Sequence, residues 1–368
     1  MGVKTIKDKN MHGLMDLGAV WRRIGLLALA AAMMALLTPH ASRAQQRIRL
    51  ATLIPRGSSP FHILEGMGQE WKKASSGGIT LTIYPDGTQG NEEDMVRRMR
   101  VGELQAATLT VSGLSEIDPA VGALEKIPMA FHSLEELEYV RAETQPELEK
   151  RLEQKGFVVL FWADAGFINL FSRKAALHPG DFKKMKVFVG AADQAEIAIA
   201  KGLGFQAVPL GWTDVLPNLK TGLIDAVPAP PYFALASQFD LVAPHMLDVK
   251  WASLVGATVI TKKAWDKIPA DLHAAVLKSA AEAGKQMQAQ SRTEASQALE
   301  AMKKRGLTVH TVTPELEKEW REFAEGVYPK MRGTMVPTAM FDEVTQLLSA
   351  YRTPPVQPTK KPEATKKP

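Results

Sequence analysis

Apolar and polar residues alternate along the first half of the chain in a rhythm that predicts strands and helices in turn. Residues 48–53 are mostly apolar and end at Pro55-Arg56-Gly57, a strand entering a turn, and 59–74 then reads as a helix stopped by Ser75-Ser76-Gly77-Gly78. In 79–84 apolar residues alternate with threonine, which predicts a second strand, and Pro85-Asp86-Gly87 is a turn signal. A helix over 92–101 and a strand over 106–111 complete a βαβαβ order, which points to a parallel sheet with helices on both faces.

Further on, 133–154 reads as helix, opened by Ser133 with Glu136 at the spacing that lets the two side chains cap each other's backbone. The buried-strand run 157–162 follows, and Asp164-Ala165-Gly166 leads into 167–172 as a crossover between lobes. A second β-rich unit has strands at 186–189 and 207–210, a helix over 194–203, and a helix over 213–221 capped by Thr213 and closed by Gly222. The apolar strand 252–261 is read as the return crossing. The Ala-, Gln- and Lys-rich stretch 268–304 is read as a long helix bracing both lobes. No internal repeat is visible. The fold class is therefore α/β, and the resemblance described below implies the periplasmic-binding-protein type. Lobe I comprises 45–165 plus about 248–290, and lobe II comprises 166–247 plus about 291–352.

The N-terminus changes this picture, because 1–44 has the layout of an export signal. Lys4, Lys7, Lys9, Arg22 and Arg23 are followed by the apolar run 24–37 and by Ser42-Arg43-Ala44, small residues suited to cleavage near Ala44. The apolar run is shorter than the roughly 20 residues a membrane span needs. The mature protein is expected in the periplasm. At the other end, 353–368 alternates Pro, Lys and Thr, a composition that buries no core and predicts a disordered tail.

Composition narrows the function. The 45 basic and 40 acidic residues are too balanced for a nucleic-acid binder, and zero cysteines exclude disulfides, thiolate metal sites and cysteine nucleophiles. The eight histidines include no His-Glu-x-x-His pair and none at metal-ligand spacing. There is no Gly-x-Ser-x-Gly elbow and no phosphate-cradling loop. The chain reads as no enzyme and calls for no cofactor or metal.

Several blocks in order resemble one family. They are Ser75-Ser76-Gly77-Gly78-Ile79, Tyr84-Pro85-Asp86-Gly87 with Gly90, Val101-Gly102-Glu103-Leu104-Gln105-Ala106, Ile127-Pro128-Met129-Ala130-Phe131 and Asp181-Phe182-Lys183-Lys184-Met185-Lys186-Val187. Gly202-Leu203-Gly204, Val208-Pro209-Leu210 with Asp214-Val215, and Leu219-Lys220-Thr221-Gly222-Leu223-Ile224-Asp225 continue the series. Over nearly the whole mature chain the sequence resembles the solute-binding subunits of tripartite ATP-independent periplasmic (TRAP) transporters. The resemblance implies two α/β lobes, a ligand cleft between them, and delivery of a small organic solute, an organic acid or an aromatic or weakly charged one, to a two-subunit membrane permease. The same fold would serve a sensor system, and a cleft hydrolase is the reading from another class.

The resemblance also directs attention to particular positions. Where typical members carry an arginine that clamps the ligand carboxylate, this chain has Phe188; a second family arginine falls at Ile168 and a family asparagine at Ala229. The cleft walls are then expected from Trp162, Phe167, Phe188, Trp212, Tyr232 and Phe233. Trp212, which matches an aromatic family position, either faces ligand or packs in the second lobe. Arg56 is the candidate replacement for the missing arginine, since it follows the first strand at the edge where open α/β sheets bind ligands. Ser58 and Ser59 begin a helix whose backbone N–H groups can add donors. Asp164 can accept from solute hydroxyls or hold a bridging cation, and Ser112 with Gly113 can contact solute from the first lobe. Arg97, Arg98 and Arg100 read as a solvated helix face.

Overall fold

The structure, a computed structural model, describes residues 1–2, 45–191 and 193–353. The expected signal segment lies outside the described residues, as does all of the C-terminal tail beyond 353. Among the described residues no helix is long and apolar enough to cross a membrane.

From residue 46 the order is β1 (Gln46–Thr52), α1 (Ser59–Ala74), β2 (Ile79–Tyr84), α2 (Glu92–Arg100), β3 (Ala106–Thr110), α3 (Val111–Ser115), α4 (Leu134–Gln154) and β4 (Phe157–Ser172). Then come α5 (Pro179–Phe182), β5 (Lys186–Gly190), α6 (Gln194–Gly202), β6 (Gln206–Leu210), α7 (Val215–Thr221), β7 (Ala226–Ala229), α8 (Pro231–Ala236) and β8 (His245–Thr261). The chain ends through α9 (Lys262–Trp265), α10 (Ala270–Lys304), β9 (Thr308–His310), α11 (Pro314–Met331) and α12 (Thr338–Arg352).

One sheet runs through the molecule in the order β2-β1-β3-β8-β4-β7-β5-β6, with β9 on β8. Its two ends are parallel, β1 beside β2 and β3, and β5 beside β6 and β7, whereas β8 is antiparallel to both β3 and β4. β4 and β8, 16 and 17 residues long, pair from Phe157↔Thr261 to Ser172↔His245 and so belong to both halves. The crossover at 164–166 is a register shift inside a continuous strand. Gly166, at φ 81°, supplies the left-handed residue that such a bulge uses, so the strand bends without ending.

Apolar residues pack on both faces of the sheet in each half. In the first half Trp71 is fully buried, its indole N–H donating to Val276 O of α10 at 3.3 Å, and in the second Phe171 and Phe239 are buried. Burying side chains of this size contributes about 1.5–3 kcal/mol each. Helix α10 packs along β4, α1 and α8. Val276, Ala280, Ala283 and Met287 join the first-half core and Met302 the second, so the long helix does brace both.

Three local readings change. Thr213 does not cap a helix; 212–214 forms a 3-10 turn, α7 starts at Val215 and ends at the left-handed Gly222. Ser133 accepts from the Glu136 N–H at 3.3 Å, but the Glu136 carboxylate turns to the His132 N–H at 2.7 Å and to Arg352 instead of closing the reciprocal cap. The stretch 338–352, grouped above with the second lobe, packs with α4 and the first-half core through Met340, Phe341, Val344 and Leu348.

Where β8 passes between β3 and β4 it carries Gly256, opposite Thr110 and Ala163. A Cβ there would lie 2.6 Å from the Leu109 carbonyl oxygen, and backbone cannot yield as a flexible side chain would. Gly256→Ala is therefore expected to lower the unfolding free energy by about 1–3 kcal/mol. Urea unfolding followed by circular dichroism measures this, and an unchanged midpoint would contradict the close approach.

Candidate functional site

Two cavities lie where the halves meet. One of about 230 Å³ is bounded by Ile168 on β4, Phe188 on β5, Trp212, Trp251 on β8, and the pair Glu125 and Lys126. The other, of about 150 Å³, is bounded by Asp164 on β4, Phe161, Tyr232 and Phe233, with Glu92 and Glu294 at its edges. Thr110, Trp212, Pro230 and Leu254 border both, so the two are adjoining chambers with the Trp212 indole between them. We call them the lysine chamber and the acidic chamber.

The partition is rigid because Trp212 is held by other rings. It packs against Phe188 with centroids 4.8 Å apart and edge-on to Phe233 at 5.3 Å, and Phe233 meets Phe239 at 6.1 Å. Such pairs add about 0.5–1.5 kcal/mol each beyond area burial. The halves also approach closely beside the chambers. A Cβ on Gly211 would sit 2.2 Å from Asn91 Nδ2, and one on Gly87 would sit 2.8 Å from Thr213 Cγ2. On the wall of the lysine chamber the Lys126 ammonium pairs with the Asp193 carboxylate that caps α6.

Carboxyl groups dominate the electrostatics. Glu125 accepts the Val255 N–H at 3.0 Å, yet loss of hydration by the surrounding protein pushes its pKa up to about 8, against the pull of that bond and of Lys126. Burial likewise pushes Glu196 up to about 7, with the Asp193 charge adding and Lys126 opposing. In the acidic chamber Glu92 accepts from the Thr110 N–H, the Thr110 hydroxyl and the Gly113 N–H at 2.6, 2.6 and 3.0 Å. Burial outweighs these donors and raises its pKa. Asp164 is raised too, because burial outweighs the Gln288 amide that donates to Oδ2 at 2.9 Å.

The sequence-derived candidates separate. Trp212 borders both chambers, Phe188 and Ser112 border the lysine chamber, and Asp164, Tyr232 and Phe233 border the acidic one. Phe188, 3 % exposed, is at the same time part of the second-half core. Ser58 caps α1, and burial raises the pKa of the Tyr232 phenol against the opposing pull of the Ser58 hydroxyl. Ser59 donates to Glu294 Oε1.

Trp162, Phe167 and Arg56, like Ser58 and Ser59, border neither chamber. Trp162 is buried with the first-half core, its indole N–H donating to Glu149 at 3.0 Å. Phe167 lies under the Lys250 ammonium at 5.1 Å. Arg56 is exposed and lies over the Phe61 ring at 5.6 Å, its backbone N–H bonded to Asp86. Lys126 is instead the lysine or arginine that borders a chamber among the described residues. Sequence reading passed over Glu125-Lys126 although the pair directly precedes the Ile127-Pro128 block, and over Glu92, Glu196 and Glu294.

Comparison with known proteins bears on this geometry. The family described as bacterial extracellular solute-binding protein, family 7, matches residues 50–334. The C4-dicarboxylate-binding periplasmic protein DctP of Rhodobacter capsulatus is 24% identical over 307 residues, 83% of this chain and 90% of that protein. The sugar acid binding protein DctPAm of Advenella mimigardefordensis, solved with galactonate, superposes with a TM-score of 0.78 at 19% identity, covering 83% of this chain and 99% of that one. A TRAP periplasmic solute-binding protein of Sulfurospirillum deleyianum with bound succinate gives 0.76 at 20% identity over 83% and 99%. The chain therefore belongs to the family of extracellular solute-binding subunits of TRAP transporters, two-lobed α/β proteins that bind solutes and are not enzymes.

The raised carboxyls predict a pH dependence with a definite sign. Glu125 and Glu196 hold their protons in the folded protein up to about pH 8 and 7, against an ordinary value of 4.5. The native state binds more protons than the unfolded one between these limits, so stability is greatest below about pH 4.5 as far as these two groups contribute, and is lost as pH rises to about 8. The melting temperature of the wild type is expected to fall across this window more steeply than that of Glu125→Gln or Glu196→Gln. Parallel slopes for all three would show the two carboxyls to be ordinary.

Proposed function

We propose that this chain is the periplasmic solute-capturing subunit of a TRAP permease, exported with cleavage near Ala44, and that its solute is an organic acid with a sizeable aromatic or weakly charged body. The observation that carries the reading is the lysine chamber, a mostly apolar space backed by Phe188, Trp212 and Trp251 with the single cation Lys126 on its wall. A solute carboxylate buried there requires a charge partner, since an unpaired one costs several kcal/mol. Lys126 supplies that partner. Protonated Glu125 and Glu196 are further donors to a carboxylate at neutral pH.

The acids bound by relatives support the solute class: dicarboxylate for the Rhodobacter protein, succinate and galactonate for the two solved structures. Solute touching both walls at once stabilises the closed arrangement over an open one through that differential contact, and the closed complex is what the membrane partner accepts. Within this reading Trp212, Phe188 and Ser112 contact solute from one chamber, and Asp164 and Tyr232 from the other. Ser58 orients Tyr232. The lobes divide about the bulge at 164–167, with α10 shared.

A thermal-shift screen of mono- and dicarboxylates, aromatic acids, sugar acids and their neutral amides tests the reading, because a ligand of the native state raises the melting temperature. Acids are expected to shift it and the matching amides to fail. Lys126→Met is expected to weaken the best acid at least tenfold, the scale of a lost charge-assisted bond of about 1.5–3 kcal/mol. Amides that bind as tightly as their acids would overturn the assignment.

A further inference from the structure

The acidic chamber has a chemistry of its own. Its surface is formed largely by apolar and aromatic groups, Phe161, Trp212, Tyr232 and Phe233, while Glu92, Asp164 and Glu294 stand at its border, and no lysine or arginine among the described residues lines it. Asp164 is only 7 % exposed, and its Oδ1 makes no well-aligned hydrogen bond, although the neighbouring Gly166 N–H favours the charged form; Glu294 Oε2, on the facing helix α10, has no partner either. The Arg292 guanidinium favours the charged form of Asp164, but its ion-pair partner is Glu138. Two carboxylate oxygens buried without well-aligned partners beside an empty aromatic space are costly as they stand.

Three kinds of guest can be compared. A hydrocarbon would fit the rings and leave both oxygens uncompensated. A polyol would need several donors and acceptors around it, and the walls offer aromatic faces instead. A cation with an apolar exterior meets both conditions, since ring faces attract cationic groups and buried carboxylates neutralise them without requiring a hydrogen bond from every methyl.

We propose that the acidic chamber receives an alkylammonium group, so that the solute is a zwitterion with its cationic end beside Asp164, Glu294, Tyr232 and Trp212 and its carboxylate near Lys126. This rests on the organic-acid reading given above and narrows it. The two ends lie on either side of the Trp212 edge, where Thr110, Pro230 and Leu254 join the chambers. Asp164 and Glu294 attract the cation, and the rings exclude water from it.

Three probes of matched shape test this by calorimetry on the mature wild-type protein: 4-(trimethylammonio)butanoate, its carbon isostere 5,5-dimethylhexanoate, which keeps the carboxylate but lacks the cationic charge, and butyltrimethylammonium, which lacks the carboxylate. The zwitterion is expected to bind at least about tenfold tighter than 5,5-dimethylhexanoate, the scale of a desolvated cation–π contact. Asp164→Asn and Glu294→Gln are each expected to weaken the zwitterion about tenfold and to change the isostere less than twofold. Equal or tighter binding of the isostere, or equal losses for both acids in the variants, overturns the proposal and leaves the organic-acid reading standing. Butyltrimethylammonium binding as tightly as the zwitterion would overturn the organic-acid reading and keep the cation site. Binding of none of the three overturns the proposal, and the acid screen above then decides the other reading separately.

Discussion

The hydrogen-bonded ladder between β4 and β8 is the constraint from which the rest follows. Antiparallel from Phe157↔Thr261 to Ser172↔His245, it carries one sheet through both halves, with β3 and β1 built onto one end and β7 and β5 onto the other. A pair of strands shared in this way leaves the halves able to rotate only about irregularities in the ladder, and the shift between Asp164 and Phe167 is such a place. Asp164 and Ala165 at its start border the acidic chamber. The irregularity in the ladder and the edge of the chamber thus coincide, since a bulge re-aims side chains at the point where it bends the strand.

Apolar side chains at Phe188 and Ile168, where a charged anchor could have stood, set the energetics of the cleft wall. A guanidinium waiting for solute needs water or an acid beside it. Phe188 instead packs on Trp212 at 4.8 Å and shares the second-half core, so the wall is stable without a ligand. The remaining cation, Lys126, rests against Asp193, and Asp193 is itself fixed by accepting the Glu196 N–H at 2.9 Å. With Glu125 and Glu196 protonated, the cluster of one lysine and three carboxyls is close to neutral. An incoming carboxylate then competes with Asp193 for the ammonium or shares it, a milder exchange than displacing a fully hydrated charge.

Much of the sheet was legible because its signal is local. The turn at Pro85-Asp86-Gly87, the glycine that closes α7 and the apolar runs of β1, β3, β4 and β8 each announce themselves within a few residues. The site was less legible because its parts are set by approach across the chain. Arg56 stands at the favoured edge of the sheet, yet Phe61 and the Asp86 contact on its backbone draw it outward. Lys126 meets Asp193 only because α6 is carried on the second half. Trp162 and Phe167 have the aromatic character that suggests a binding wall, but strand parity and the bulge send them to the core and to Lys250. Glu92 reads as an ordinary first-turn acid; that it reaches back to Thr110 and Gly113 depends on the packing of α2 against α3.

Helix α10 ties these pieces together and limits how far the halves can part. At about 1.5 Å per residue its 35 residues extend roughly 50 Å, and a Cβ on Gly284 would lie 3.0 Å from Phe161 Cβ, so the helix backbone rests directly on β4. Ser291 donates to Asp164 O at 2.9 Å, and Gln288 bridges Asp164 Oδ2 and Glu138 at 2.9 and 2.7 Å. The bulge is therefore held from the side by the same helix that sends Met302 into the other core. A helix anchored at both ends resists a wide swing and permits a small rotation near the bulge. Gln288 and Ser291 hold Asp164, Glu294 lies one turn further along, and α8, which carries Tyr232, packs on the same helix, so one element sets the positions of the two acids and the phenol that border the chamber.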